Sequence, residues 1–186
     1  MKRVLEREDA ALVVIDVQER LVPAIDKELY ERSRKNIVVA IEAAGVLGVP
    51  ILLTEQYPKG LGRTVPQILQ ALEGRPHELV EKTTFSCARD EGFLSVLAKT
   101  GRRQVILAGM ETHVCVYQTA LDLLNAGYEV FVLDDGVSSR YPHNHRSGIE
   151  AMRDAGVRLV PMETAVFQLL KVAATPEFKK ISSLLR

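Results

Sequence analysis

The stretch Ala11-Leu12-Val13-Val14-Ile15-Asp16 decides the fold. Five apolar residues in a row, with no polar alternation, read as a strand covered on both faces, the kind found in parallel sheets flanked by helices. The run stops on a carboxylate, so this strand delivers an acid at its carboxyl end. Downstream, residues 28–48 carry Ile37, Val38, Ile41, Ala44 and Val46 or Leu47 at near-helical spacing, with Gly45 and Gly48 suited to the helix end. Val49-Pro50-Ile51-Leu52-Leu53-Thr54 is the next strand. Pro50 falls near its start, where a missing N–H does least harm.

The alternation continues with strands expected at 78–81, 104–109, 129–133 and 158–161, and helices at 90–100, 112–126, 144–155 and 164–170. A short final helix follows Pro176. Six strands interleaved with helices predict an α/β fold built on a mainly parallel sheet. No internal repeat, low-complexity tract or linker divides the chain, so residues 1–186 read as one domain. The connection 55–76 holds Pro58, Gly60, Gly62, Pro66, Gly74 and Pro76, with a short helix expected at 65–72. A connection this long either covers a site or is a plain surface excursion.

Lys plus Arg number 24 and Asp plus Glu 24, a formal net charge of zero. That balance argues against a nucleic-acid partner or an anionic membrane surface, both of which want a strong basic field. No apolar stretch approaches the ~20 residues that span a bilayer. Met1-Lys2-Arg3 is basic, but Glu6, Glu8 and Asp9 stand where a secretion signal would need its apolar core. Cys87 and Cys115 are too few for a disulfide framework. A reduced, cytoplasmic setting is therefore expected.

Ligands of open parallel sheets gather beyond the carboxyl ends of the strands. Three reactive side chains belong to that edge: Asp16 after the first strand, Lys82 after the third and Cys115 shortly after the fourth. Each has a plainer alternative. Asp16 is a good N-cap type and Val17-Gln18-Glu19-Arg20 follows it. Lys82 alone is a solvated surface charge, and gains meaning only by pairing with Asp16, since a buried ammonium without a counter-ion is strongly penalised. Cys115 is either a small buried hydrophobe or a nucleophile in the first turn of a helix, where unpaired N–H groups and the macrodipole favour a thiolate. Cys87, in Phe85-Ser86-Cys87-Ala88, reads as structural or pocket-lining.

Dinucleotide, P-loop and nucleophile-elbow fingerprints are absent. His77, His113, His143 and His145 lack a metal-ligand spacing, and His143-Asn144-His145 is more simply a helix N-terminal turn. No metal or other cofactor is expected.

Set in order, Val13-Val14-Ile15-Asp16-Val17-Gln18, Glu81-Lys82-Thr83-Thr84-Phe85-Ser86 and Gly109-Met110-Glu111-Thr112-His113-Val114-Cys115-Val116 make the chain resemble the isochorismatase-like cysteine hydrolase superfamily. Asp134-Asp135-Gly136-Val137-Ser138-Ser139-Arg140 looks like the segment that follows the family's fifth strand. Within the superfamily, Thr54-Glu55-Gln56-Tyr57-Pro58-Lys59-Gly60-Leu61-Gly62 is similar to the isochorismatase-domain-containing subgroup. It departs from the nicotinamidases, which carry an Asp-x-His metal cluster where this chain has Thr54-Glu55-Gln56-Tyr57.

The resemblance implies the strand order 3-2-1-4-5-6 with helices on both faces, a homo-oligomer, and a cis peptide at Met110–Glu111. It also implies a metal-independent hydrolase in which Asp16 takes the Cys115 proton, Lys82 stabilises the thiolate, and the backbone N–H groups of Glu111 and Cys115 form the oxyanion hole. The substrate implied is a small molecule, and the bond expected to break is an amide or related C–N bond, through a thioester. Leu21, Gln56, Tyr57, Phe85 and His113 are the expected pocket liners. Two alternatives stay open: vinyl-ether hydrolysis without covalent catalysis, and a non-catalytic small-molecule-binding homologue.

Overall fold

The computed structural model of the chain describes residues 4–185, so the basic start Met1-Lys2-Arg3 lies outside the described residues. Six strands form one parallel sheet in the order β3-β2-β1-β4-β5-β6. They are β1 (Ala10–Ile15), β2 (Ile51–Gln56), β3 (Glu78–Lys82), β4 (Gln104–Met110), β5 (Glu129–Ser138) and β6 (Arg158–Val160). The order matches the expectation, and every residue of β1, β2 and β4 is buried: the apolar runs as expected of covered strands, and the polar Thr54, Glu55, Gln56 and Gln104 with them.

The helices are α1 (Lys27–Leu47), α2 (Pro58–Leu61), α3 (Pro66–Leu72), α4 (Glu91–Lys99), α5 (Tyr117–Asn125), α6 (Pro142–Asp154), α7 (Met162–Leu170) and α8 (Pro176–Leu184). Strand residues alternate between two apolar layers. Leu12, Val14, Ile51, Leu53, Ile106 and Ala108 pack with Ile37, Ile41 and Leu169 on one face. Val13, Ile15, Leu52, Val105 and Leu107 pack with Phe93, Val116, Ala120 and Leu123 on the other.

Three local departures from expectation shape the site. β2 starts after Pro50, which has no N–H to give, and runs through Glu55 and Gln56 because they pair with Glu81 and Lys82. β5 does not stop at Leu133. Its pairing with β4 slips between Leu107 and Gly109, and Val137 and Ser138 rejoin β4 opposite Gly109 and Met110. The extra length carries Ser139 and Arg140 to the carboxyl edge. Finally, residues 112–116 form a single π-helical turn, Thr112–Val116, ahead of α5, where the Tyr117 N–H donates back to the Thr112 carbonyl.

Asp16 starts no helix. Asp26 is the cap of α1, its Oδ1 accepting from the Leu29 N–H at 3.0 Å, and that leaves Asp16 free of the capping role. The connection after β2 lies against the segment after Asp16. The Glu19, Arg20 and Val65 N–H groups donate to the carbonyls of Arg63, Leu61 and Val17 respectively. Gln18 Nε2 also donates to the Gly62 carbonyl at 2.7 Å.

Candidate active site

β1, β3 and the turn after β4 each deliver one polar side chain, and β2 delivers two, Thr54 and Gln56, to the buried carboxyl edge of the sheet. Asp16 has left-handed backbone (φ 53°), a conformation that Asp tolerates better than most residues and that often marks functional positions. Its Oδ2 accepts from Lys82 Nζ at 2.7 Å and its Oδ1 accepts from the Thr54 hydroxyl at 2.7 Å. The two side chains of the ion pair are 0% and 1% exposed.

Lys82 Nζ also donates to Gln56 Oε1 at 2.8 Å and to the Thr84 carbonyl at 3.1 Å, so its three protons are all placed. Burial works against its charge. Although burial is the largest single effect, the Asp16 charge and hydrogen bond together with the nearby Cys87 and Cys115 sulfurs hold the ammonium above its ordinary range.

Cys115 is 6% exposed in the π-helical turn. Burial pushes its thiol up, and the Asp16 charge adds to the shift while Lys82 opposes it; a hydrogen bond to Asp16 favours the protonated form further. Burial and the neighbouring carboxylate therefore favour the thiol over the thiolate. This differs from the preformed thiolate expected of a helix N-terminus, because desolvation and a neighbouring anion act more strongly here than the partial charge of one turn. Cys87 lies beneath the same point, fully buried, its thiol pushed up to about 12 by burial and then by Asp16.

The Met110–Glu111 peptide is cis. The Glu111 carbonyl accepts from the Val114 and Val116 N–H groups, and its carboxylate accepts from the Arg140 N–H at 2.9 Å and from Arg140 Nε at 3.1 Å. His113 Nδ1 meets the Ser139 hydroxyl at 3.0 Å and its Nε2 meets the Asn144 amide at 3.3 Å, and burial lowers the pKa of this imidazole. His145 bonds the Thr112 hydroxyl at 3.0 Å near the start of α6, as expected of a helix N-terminal turn.

The other expected liners have different fates. Gln56 is buried, and both ends of its amide are already engaged, since Nε2 donates to the Thr83 carbonyl at 2.8 Å. Leu21 is half-buried against the core. Tyr57 and Phe85 are 54% and 56% exposed at the ends of β2 and β3. Tyr57, Pro58, Lys59, Glu81, Lys82, Thr83 and Asp90 line a cleft of about 350 Å³ beside the ion pair. A larger groove of about 510 Å³ lies at the amino ends of β2 and β3 and holds none of the three reactive groups. Of the three reactive groups only Lys82 lines the smaller cleft, and of the expected liners only Tyr57 does; it is the candidate entrance because it lies at the carboxyl edge, beside the ion pair. Among the described residues, no cluster of three His, Cys, Asp or Glu side chains is arranged to hold a metal ion.

Thr54, Gln18 and Arg140 were not singled out from the sequence. Thr54 and Gln56 had one legible signal: alternate strand positions share a face, so two polar residues at i and i+2 beside an apolar run point at one place.

An isochorismatase domain model matches residues 10–164. A secreted isochorismatase effector of Phytophthora sojae is 41% identical over 148 residues, covering 78% of this chain and 70% of that protein. Isochorismatase domain-containing protein 2 of Danio rerio is 37% identical over 182 residues, 97% of this chain and 89% of that one. The structure of a MAR1 ribonuclease from Caenorhabditis elegans superposes with a TM-score of 0.90 at 35% identity, over 98% of this chain and 92% of that chain. With the domain match spanning all six strands and relatives of this identity aligned along most of its length, the chain belongs to the isochorismatase family.

Proposed function

We propose that the protein is a metal-independent cysteine hydrolase that cleaves a small amide or related C–N bond through a thioester on Cys115. The observation that carries this reading is the buried Lys82–Asp16 pair at 2.7 Å, with Cys115 buried close enough to feel the charges of both.

Because the thiol rests protonated, Asp16 acts as a general base during attack rather than before it. As sulfur bonds to the carbonyl carbon, its proton passes to Asp16 and negative charge grows on the substrate oxygen. The Glu111 and Cys115 N–H groups meet that charge. The C–N bond then breaks, and Asp16 returns the proton to the departing nitrogen. A water activated by the regenerated carboxylate hydrolyses the thioester and restores the thiol.

The raised thiol pKa favours one alternative, ether hydrolysis driven by Asp16 and Lys82 without sulfur chemistry. A panel of small amides and vinyl ethers, assayed with wild type, Cys115→Ala and Asp16→Asn, separates the readings. Amide turnover lost in both variants, with acyl-Cys115 trapped by mass spectrometry, supports the thioester route. Full turnover in Cys115→Ala overturns it. Ligand binding with no turnover of any compound points to a non-catalytic homologue.

A small-molecule substrate suits a cleft of this size. The balance of 24 basic and 24 acidic residues supplies no field for a phosphate backbone, so the ribonuclease description stays with the C. elegans protein. A reducing cytoplasm fits two free cysteines beside one another's site. A homo-oligomer would cover the exposed Tyr57, Phe85 and Tyr141, which light scattering can check.

A further inference from the structure

The proposed reaction leaves one buried nucleophile unused. Cys87 is held against α5 by its N–H, which donates to Thr119 Oγ1 at 2.9 Å, and its Sγ points at Thr54 Oγ1 at 3.9 Å. Thr54 has a single hydroxyl proton and gives it to Asp16 Oδ1 at 2.7 Å. Thr54, Cys87 and Asp16 are all 0% exposed, so no bulk water competes for these bonds. The chain of donors therefore runs one way, from the Cys87 S–H into the Thr54 oxygen and from the Thr54 O–H into Asp16. A thiol filling the Thr54 lone pair leaves the hydroxyl proton nowhere better to go than the carboxylate.

The carboxylate needs that second anchor. With Lys82 as its only partner, it can turn about its Cβ–Cγ bond and offer both oxygens to the ammonium, which pulls electron density away from the thiol. Thr54 engages one oxygen while Lys82 engages the other, and this sets the plane of the group. The remaining groups facing Asp16 are Cys115 from the π-helical turn and Cys87 from the turn after β3. Of all these neighbours, Thr54 alone is a donor that never titrates. Removing its hydroxyl changes geometry without changing charge.

We infer that Thr54, oriented by the Cys87 thiol, is a positioning residue that fixes the Asp16 carboxylate with a lone pair toward the Cys115 thiol. The inference rests on the reading of Asp16 as the base for Cys115, and its test includes a measurement that does not.

Two readouts on the full-length chain carry the test. One is the rate at which iodoacetamide alkylates Cys115 at neutral pH, located by mass spectrometry. The other is the carboxyl ¹³C resonance of Asp16, followed across pH in protein labelled at the aspartate γ-carbon. Thr54→Val removes the donor in the same shape, and Thr54→Ser keeps it. Thr54→Val is expected to slow alkylation roughly ten- to a hundred-fold, the loss of one hydrogen bond to a charged group. It is also expected to move the Asp16 resonance, and Thr54→Ser to restore most of both. Cys87→Ala should move both in the same direction by less, with Cys87→Ser close to wild type.

Thr54→Val with wild-type alkylation and an unmoved resonance overturns the inference. Should Thr54→Val not fold, Thr54→Ala removes the same donor, and an unmoved Asp16 resonance there is equally decisive; an unmoved resonance in Cys87→Ala overturns the orienting role of that thiol. Wild-type Cys115 alkylating no faster than in Asp16→Asn sinks the hydrolase reading instead. In that event the resonance alone decides whether Thr54 holds Asp16.

Discussion

Gly109 approaches Ile15 so closely that a Cβ built on it would stand 2.1 Å from the Ile15 carbonyl oxygen and 2.7 Å from its nitrogen. The two are register partners in β4 and β1, and Gly109 takes a φ of 121°, a region closed to other L-residues. Asp16 follows Ile15 directly, and the turn bearing Cys115 begins just beyond Gly109. The contact between these backbones is thus what brings the acid and the thiol to one point.

Gly109→Ala should therefore lose the fold rather than only the activity. Both the clash with backbone and the φ oppose any side chain, and more than about 4 kcal/mol of stability is at stake. Soluble yield and the urea midpoint test this. A soluble variant with a near wild-type midpoint would show that the strands can separate at little expense.

Lys82 and Asp16 are mutually dependent. Truncating one leaves the other as an unpaired buried charge, so Lys82→Met should destabilise by about 3–5 kcal/mol in urea. Asp16→Asn, which keeps the shape and strands the ammonium, should fall in the same range. The double variant Asp16→Leu/Lys82→Met should regain much of the loss while remaining inactive. Equal, additive losses in the double variant would mean that the pair is not coupled.

Much of this arrangement was legible beforehand because unbroken apolar runs such as 11–15 and 105–108 read directly as covered strands. A reactive residue at the end of each run then has its position set by the sheet, which is how Lys82 could be assigned to Asp16 across 66 positions. What stayed hidden depends on register. Nothing local announces that β5 slips past β4 and continues to Ser138, since Asp134-Asp135-Gly136 has the composition of a turn. The protonated state of Cys115 was also hidden. A sequence shows the helix start that would lower the thiol pKa, but not the desolvation and the anion that raise it.

Arg140 reaches the site only because β5 is long. Its N–H and Nε clasp the Glu111 carboxylate, whose side chain is 8% exposed. Glu111 contributes the backbone N–H assigned to the oxyanion hole, so Arg140→Ala should reduce kcat about ten-fold while leaving KM nearly unchanged, in line with a charge-assisted bond. Stability should fall by only about 1–2 kcal/mol. A change confined to KM would assign Arg140 to substrate binding instead.

The two thiols make alkaline stability a direct test of the site's electrostatics. Cys87 rises from an ordinary 9.0 to about 12 on folding, and Cys115 also moves upward. Below pH ~8 both states largely keep their protons and the thiols contribute little pH dependence. Above it the unfolded chain releases protons that the folded chain retains, so stability falls as pH rises until the folded thiols themselves ionise. Urea midpoints between neutral pH and about 10.5 should decline for wild type by up to ~1.4 kcal/mol per pH unit for each thiol. The Cys87→Ser/Cys115→Ser variant, whose hydroxyls do not titrate in this range, should decline less steeply against the same background of Tyr and Lys groups. Parallel curves would mean that the thiols titrate alike in both states, and the site would then be wetter than its burial implies.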